Sequence, residues 1–156
     1  MKKYNYIIVG GGMTGSSAVM GIREVDSEGT IAMFSRDKFG PYNRPPLSKG
    51  LWKKGKVDDI MRPMEKYHID LFLKDKITAI NPTEKWVESE KGERYAYDKL
   101  LLATGGHPNQ LKDMPEGVIY FRTLSDFEKL QHLDETGADH AEILLGLDEV
   151  LQLFEI

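Results

Sequence analysis

The stretch Tyr4-Asn5-Tyr6-Ile7-Ile8-Val9-Gly10-Gly11-Gly12-Met13-Thr14-Gly15 constrains this chain more than any other part of it. A compact apolar run, Tyr4 to Val9, reads as a buried strand. It runs into glycines spaced G-x-G-x-x-G, followed by a segment of helical character from Ser16 to Val25. Thr30 to Phe34 is a second short strand. Strand, glycine turn, helix and strand in that order form a βαβ unit, which implies a parallel sheet and a right-handed crossover. Each glycine has a steric reason in that frame. Gly10 permits the tight turn, Gly12 lets a pyrophosphate approach the backbone, and Gly15 lets helix and strand pack closely. The N-terminus of that helix offers free N–H groups and a partial positive charge to phosphates. The motif therefore predicts a dinucleotide site.

An acidic residue ordinarily ends the second strand about 20 residues after the glycines and binds ribose hydroxyls. Here the chain reads Phe34-Ser35-Arg36-Asp37. Asp37 stands where it could accept the ribose hydroxyls, while Arg36 could stack on adenine or meet a phosphate. Both also fit a pair of solvated charges at a strand end. A second cluster is Pro41-Tyr42-Asn43-Arg44-Pro45-Pro46-Leu47-Ser48-Lys49. Arg44 offers a planar fork for a phosphate or a flavin carbonyl, and the double proline fixes its backbone. If Pro46 to Trp52 is helical, Lys49 lies about one turn beyond Pro46 and both cations can face one cleft. On these residues alone, a binding site and a rigid surface loop are equally consistent.

Further along, Met61 to His68 suits a short helix. From Leu71 to Tyr97 the pattern changes to alternation, with runs at 76–80, 86–89 and 94–97 and a Lys91-Gly92 turn between the last two. That predicts an antiparallel β-meander inserted into the α/β fold. Lys99 to Ala103 returns to a buried strand that ends at Thr104-Gly105-Gly106. Val118 to Phe121 is another short strand, and Thr123 to Leu133 a helix capped by Thr123 or Ser125. The tail, Asp139 to Ile156, predicts a helix: Asp139 and Glu142 have capping-box spacing, and Ile143, Leu147, Val150, Leu151 and Phe154 fall on one stripe. The fold class expected is thus a Rossmann-like α/β parallel sheet with an inserted antiparallel meander and a C-terminal helix.

Composition narrows the chemistry. The chain contains no cysteine, which excludes disulfides, thiolate metal sites and a Cys-x-x-Cys redox pair, and no metal site is expected. From Asp134 onward there are seven acidic residues and no lysine or arginine, so the net charge of −4 is concentrated at that end. The mildly basic remainder suits an anionic small ligand but is too weak to argue for nucleic acid. No apolar run approaches the ~20 residues of a membrane span. Met1-Lys2-Lys3 leads straight into the strand rather than into a secretory signal, so a cytoplasmic location is expected.

Together, Ile7-Ile8-Val9-Gly10-Gly11-Gly12, Arg44-Pro45-Pro46-Leu47-Ser48-Lys49 and Leu101-Leu102-Ala103-Thr104-Gly105-Gly106 carry a resemblance. The chain resembles the FAD domain of ferredoxin-reductase-like flavoproteins related to apoptosis-inducing factor, within the pyridine nucleotide-disulfide oxidoreductases. The likeness runs from about Tyr4 to about Gly137, which implies an FAD-binding domain over 1–137, incomplete relative to the family, and a helical tail over 138–156. It implies that Gly10, Gly12 and Gly15, with Met13 and Thr14, hold the FAD pyrophosphate. It places Arg44 and Lys49 beside phosphate and isoalloxazine, with Lys49 nearest the reactive flavin edge. Lys76 or Ile77 would touch adenine through the backbone, Ala103, Thr104 and Gly105 would close over the dinucleotide, and Arg122-Thr123 would mark the crossover toward a nicotinamide-binding domain.

The sequence departs from that family at several points. Relatives carry Glu or Asp where Arg36 stands, which shifts the ribose contact to Asp37 or weakens it. His107 stands where a small residue is usual. A second glycine-rich βαβ unit for NAD(P)H, and the returning strand ending in Gly-Asp, have no normal counterpart. Asp139 matches either a ribityl ligand of that return or a helix cap. The resemblance implies hydride transfer from NAD(P)H to flavin and single-electron delivery to an iron–sulfur protein or similar acceptor, with the present chain supplying only the FAD-binding portion of that cycle. The alternative is a non-catalytic module that self-associates as a homo-oligomer, or binds a partner, through the 143–154 helix.

Overall fold

Lys2 to Ser35 folds as strand, helix and strand in the computed structural model, which describes residues 1–109, 112, 118–135, 143–147 and 150–154. The strands are β1 (Lys2–Val9) and β2 (Ile31–Ser35), joined by helix α1 (Met13–Val25). They pair in parallel, with Ile7 opposite Ala32 and Val9 opposite Phe34. A third parallel strand, β3 (Asp70–Leu73), lies outside β2. The alternation reading had merged β3 into the meander. It is four residues long and only half-buried, so it carries no continuous apolar signature.

The meander forms as β4 (Ile77–Asn81), β5 (Trp86–Ser89) and β6 (Arg94–Leu102), with antiparallel pairing from β4 to β5 and from β5 to β6. The two segments expected at 94–97 and 99–103 are one nine-residue strand, β6. It pairs in parallel with β1 from Lys2–Tyr95 to Val9–Leu102. The six-stranded order is β3-β2-β1-β6-β5-β4, so the meander extends the parallel sheet through a shared strand.

Alternation along the central strands separates two cores. Ile8, Ile31 and Met33 cluster with Val19 of α1 and with Met64. Ile7, Val9, Ala32 and Phe34 cluster instead with Val87, Tyr95 and Tyr97 of the meander strands. Full burial of each such side chain contributes about 1.5–3 kcal/mol. Phe34 stacks on Phe72 at 4.5 Å and 6°, and both rings meet Tyr95 at tilted angles. Val19 and Ile8 are fully buried, so the helix is held by its apolar face.

The chain divides into two compact units, Met1–Asn43 with Val57–Gly105, and Arg44–Lys56 with Gly106–Ile156. Everything above belongs to the first unit. In the second, the helix expected at Pro46–Trp52 is two 3-10 turns, Pro45–Ser48 and Leu51–Lys53. Gly50 separates them, and a regular helix there would have to include it together with the proline pair. The short helix expected over Met61–His68, in the first unit, is likewise a single 3-10 turn at Glu65–Tyr67.

The second unit also contains β7 (Ile119–Tyr120), α2 (Leu124–Glu135), β8 (Ile143–Leu147) and β9 (Val150–Phe154). Thr123 caps α2: its Oγ1 accepts the Asp126 N–H at 3.2 Å, while Asp126 Oδ2 accepts the Thr123 N–H at 2.7 Å. β7 and β8 are parallel, so β7-α2-β8 is a second βαβ connection, and β8 turns back antiparallel onto β9. This overturns the tail helix. Ile143-Leu144-Leu145 and Val150-Leu151-Gln152-Leu153-Phe154 are short apolar runs, a length at which helical and strand periodicity coincide. Gly146 costs a helix interior about 1 kcal/mol, and β7 offers β8 a pairing edge. The Asp139–Glu142 cap and the expected boundary at Gly137 lie outside the described residues.

Candidate functional site

The glycine turn is built by close approach. Gly10 has φ +124°, and its N–H donates to Phe34 O at 2.8 Å. A Cβ at Gly10 would lie 2.0 Å from the Ala103 carbonyl oxygen, and one at Gly15 would lie 2.1 Å from the carbonyl oxygen of Gly10. Real Cβ atoms do not tolerate such distances, so both positions require glycine. Gly12 differs: a Cβ there would meet nothing within 4 Å. Its φ of −94° is open to any residue. Neither strain nor packing requires glycine at Gly12, and the space over it is open to a ligand.

Gly12 is also the N-cap of α1 and supplies no side-chain cap, and the first turn holds no acidic residue. The first amides of a helix have no partner within it. Met13 and Thr14 are exposed there, and the first helical bond, Ser16 N–H to Gly12 O, leaves the N–H groups before it for a ligand. The positive end of the α1 dipole is thus uncompensated by side chains, an arrangement that suits a diphosphate. The cradle that a Cβ would fill, together with this dipole, fits the diphosphate of a dinucleotide.

The family profile of the pyridine nucleotide-disulphide oxidoreductases matches residues 4–143. This chain belongs to that family. Its cofactor is FAD. It is 32% identical to mitochondrial apoptosis-inducing factor 1 of Dictyostelium discoideum, across 94% of this chain and 32% of that protein. It is 34% identical to the rubredoxin-NAD(+) reductase of Pseudomonas putida, across 80% of this chain and 34% of the relative. In the covalent putidaredoxin reductase–putidaredoxin complex, the matching structure is 30% identical with a TM-score of 0.77, over 85% of this chain and 34% of that one. The chain spans about a third of the length of the curated relatives it matches.

Within the first unit of this family member, the predicted site residues converge. Ala103 and Thr104 lie against Gly10, where a Cβ would come within 3.1 Å of the Thr104 nitrogen. Thr104 and Gly105 are exposed, and Gly105 has φ +66°. The turn between β3 and β4 is pinned to the end of β2: Asp75 N–H donates to Ser35 O at 2.9 Å, and Lys74 N–H to Asp37 O at 3.0 Å. Lys76 and Ile77 are thereby brought beside Arg36 and Asp37. The Lys76 main chain already has partners, donating to Glu90 Oε1 at 3.1 Å and accepting from the Glu90 N–H at 2.7 Å.

Arg36 is exposed, and Asp37 is half-buried with its carboxylate turned into its own loop. It accepts from the Phe39 N–H and the Tyr42 hydroxyl, each at 3.3 Å. The residue that meets the glycine turn is Ser35, which the sequence reading passed over: a Cβ on Gly11 would lie 2.6 Å from Ser35 Cβ. Ser35 ends a fully buried strand and its Oγ accepts the Asp37 N–H at 3.2 Å. Arg44 and Lys49 belong to the second unit, flanking the Pro45–Ser48 turn, where Leu47 N–H donates to Arg44 O and Lys49 N–H to Pro46 O. Among the described residues, no group of His, Asp and Glu suits a metal ion, and no helix is long and apolar enough to cross a membrane.

Proposed function

We propose that this chain is the FAD-binding portion, over about 1–137, of an NAD(P)H-dependent flavin reductase that delivers electrons to an iron–sulfur protein. The observation that carries the reading is the open space over Gly12 at the uncapped start of α1, between two glycines that packing does require. The relatives named for rubredoxin and terpredoxin reduction support the acceptor class, and the putidaredoxin complex does so independently. A cytoplasmic setting belongs to the same reading, on composition.

Bound FAD supplies the hydride-accepting and single-electron chemistry. The protein's part is to hold and orient it. Gly10, Gly12, Met13, Thr14 and Gly15 would grip the diphosphate, and Ala103, Thr104 and Gly105 would close over it. Asp37 or Arg36 would meet the adenosine end, with Lys76 or Ile77 contacting adenine through the backbone. Arg44 would lie beside the phosphate and the flavin ring, and Lys49 would set the charge at the reactive edge. Such a cation favours the reduced, negatively charged flavin by direct attraction. The β7-α2-β8 connection supports Arg122-Thr123 as the crossover toward a nicotinamide-binding domain. The alternative of a helical interaction module loses its basis, because 143–147 and 150–154 are strands.

The test is desalting after incubation with FAD, followed by NADH consumption with excess FAD and a dye acceptor. The reading expects yellow protein with turnover well below about 1 per second, under the ordinary enzyme range. Colourless protein after desalting would overturn it.

A further inference from the structure

The turn between β5 and β6 is closed by its own main chain. Gly92 N–H donates to Ser89 O, and Ser89 N–H to Glu93 O, each at 2.9 Å. Gly92 takes φ +80°, a conformation that favours glycine. Ser89 is buried, and its Oγ accepts the Lys91 N–H at 3.3 Å. This closure sets Glu90 and Lys91 side by side against the turn that joins β3 to β4. Glu90 Oε1 accepts the Lys76 N–H at 3.1 Å, and the Glu90 N–H donates to Lys76 O at 2.7 Å. Lys91 Nζ, on a side chain more than half exposed, reaches Asp75 Oδ2 at 3.0 Å, where the carboxylate is 1% exposed. The other carboxylate oxygen, Oδ1, has no partner among the described residues, so the tie to Lys91 offsets a buried charge.

From the opposite side the end of β2 holds the same segment, through the main-chain bonds from Lys74 to Asp37 and from Asp75 to Ser35. Residues 74–76 are therefore gripped between the end of β2 and the hairpin. Just beyond, the pairing advances from Ile77 to Ala79 on β4 against Ser89 to Glu88 on β5, so Thr78 is a bulge. A bulge withdraws main-chain groups from the ladder, and bulges recur beside binding sites. With the Lys76 main chain taken up by Glu90, the bulge at Ile77–Thr78 is the stretch left to meet the edge of adenine, where N1 accepts and the 6-amino group donates. We propose that Glu90 and Lys91 are positioning residues for the adenosine half of the cofactor. They fix the main chain of Asp75 and Lys76, and through it the bulge that selects the base, without touching the ligand themselves. This rests on the flavin reading, in which the main chain at this place meets adenine.

The probes are ADP and inosine diphosphate, whose hypoxanthine reverses both groups on that edge, titrated by calorimetry with FAD alongside. The wild-type chain is expected to prefer ADP about tenfold or more. Glu90→Ala removes the acceptor, and should weaken ADP and FAD about tenfold and bring the preference for ADP close to unity. Asp75→Asn/Lys91→Met removes the second tie without leaving an unpaired charge, and should act in the same direction. Glu90→Gln makes the same charge change as Glu90→Ala but keeps an acceptor for the Lys76 N–H, and should stay within about twofold of wild type. A purely structural role would weaken both nucleotides together and leave the base preference where it was. An unchanged thermal transition shows that Glu90→Ala is folded. Equal losses of the two nucleotides, no loss of either, a Glu90→Gln that loses as much as Glu90→Ala, or a wild-type chain without base preference would each overturn the proposal. A chain that binds neither FAD nor ADP would instead overturn the flavin reading beneath it.

Discussion

Three glycines of one motif do three separable jobs, and substitution should separate them. Gly10→Ala puts a Cβ 2.0 Å from the Ala103 oxygen at φ +124°, and is expected to destabilise the chain by more than about 3 kcal/mol. Thermal denaturation reads this directly. Gly12→Ala meets no protein atom, so it should cost at most about 1 kcal/mol of stability, as loss of a glycine N-cap. Its FAD affinity should nevertheless fall by about 2 kcal/mol or more, over tenfold, in a fluorescence titration. Gly10 and Gly15 were legible in the sequence because backbone sterics leave only glycine there, whereas Gly12, where a Cβ has room, was legible only from the spacing of the motif. Which residue at the end of β2 meets the glycine turn was not legible. The sequence offers Arg36 and Asp37, but which side chain meets the turn depends on strand register, and register places Ser35 against Gly11.

At the scale of elements, Arg23 joins the end of α1 to the entry into β3. Its guanidinium donates to the carbonyls of Gly29 at 2.8 Å, Tyr67 at 2.9 Å, Asp26 at 3.0 Å and His68 at 3.3 Å. A lysine cannot span four acceptors, so Arg23→Lys should lower stability by about 1–3 kcal/mol, measured by urea unfolding. Asp75 is a second tie. It is 1% exposed, and its Oδ2 accepts from Lys91 Nζ at 3.0 Å. Lys91→Met would leave that carboxylate buried without its cation and should destabilise by about 3 kcal/mol. Adding Asp75→Asn to Lys91→Met should recover part of the loss in the same unfolding experiment. The βαβ unit, the meander and α2 were legible because the first carries its glycine turn, the second its alternation and its Lys91-Gly92 turn, and the third its Thr123 cap. The tail was not, because its short apolar runs fit either period. What decided it was pairing with β7, a partner distant in sequence.

Across the whole molecule, acid and alkali act on a network at the β1–β3 end and beside it. Hydrogen bonds from Lys2 and Tyr4 hold the Asp70 carboxyl below its ordinary value of 3.8, and the Gly29 N–H, with Tyr6, does the same for Asp26. Depressed carboxyls contribute stability that is complete above about pH 4 and is lost as pH falls through their lower folded values. Burial, with the Glu93 carboxylate, raises the Tyr95 hydroxyl, and burial with Asp70 raises Tyr4. Those contributions are complete below about pH 10 and are lost as pH rises through the raised values. Stability should therefore be flat between these limits and fall on both sides in a series of thermal scans. FAD at a hundred times its dissociation constant should add about 2.7 kcal/mol to the wild-type chain and much less to Gly12→Ala.

The amides themselves report most directly on the diphosphate cradle, through a titration of the 15N-labelled chain with FAD. The account predicts that the resonances of Gly12, Met13, Thr14 and Gly15 move most. FAD binding that leaves those four amides unmoved while others shift would contradict it.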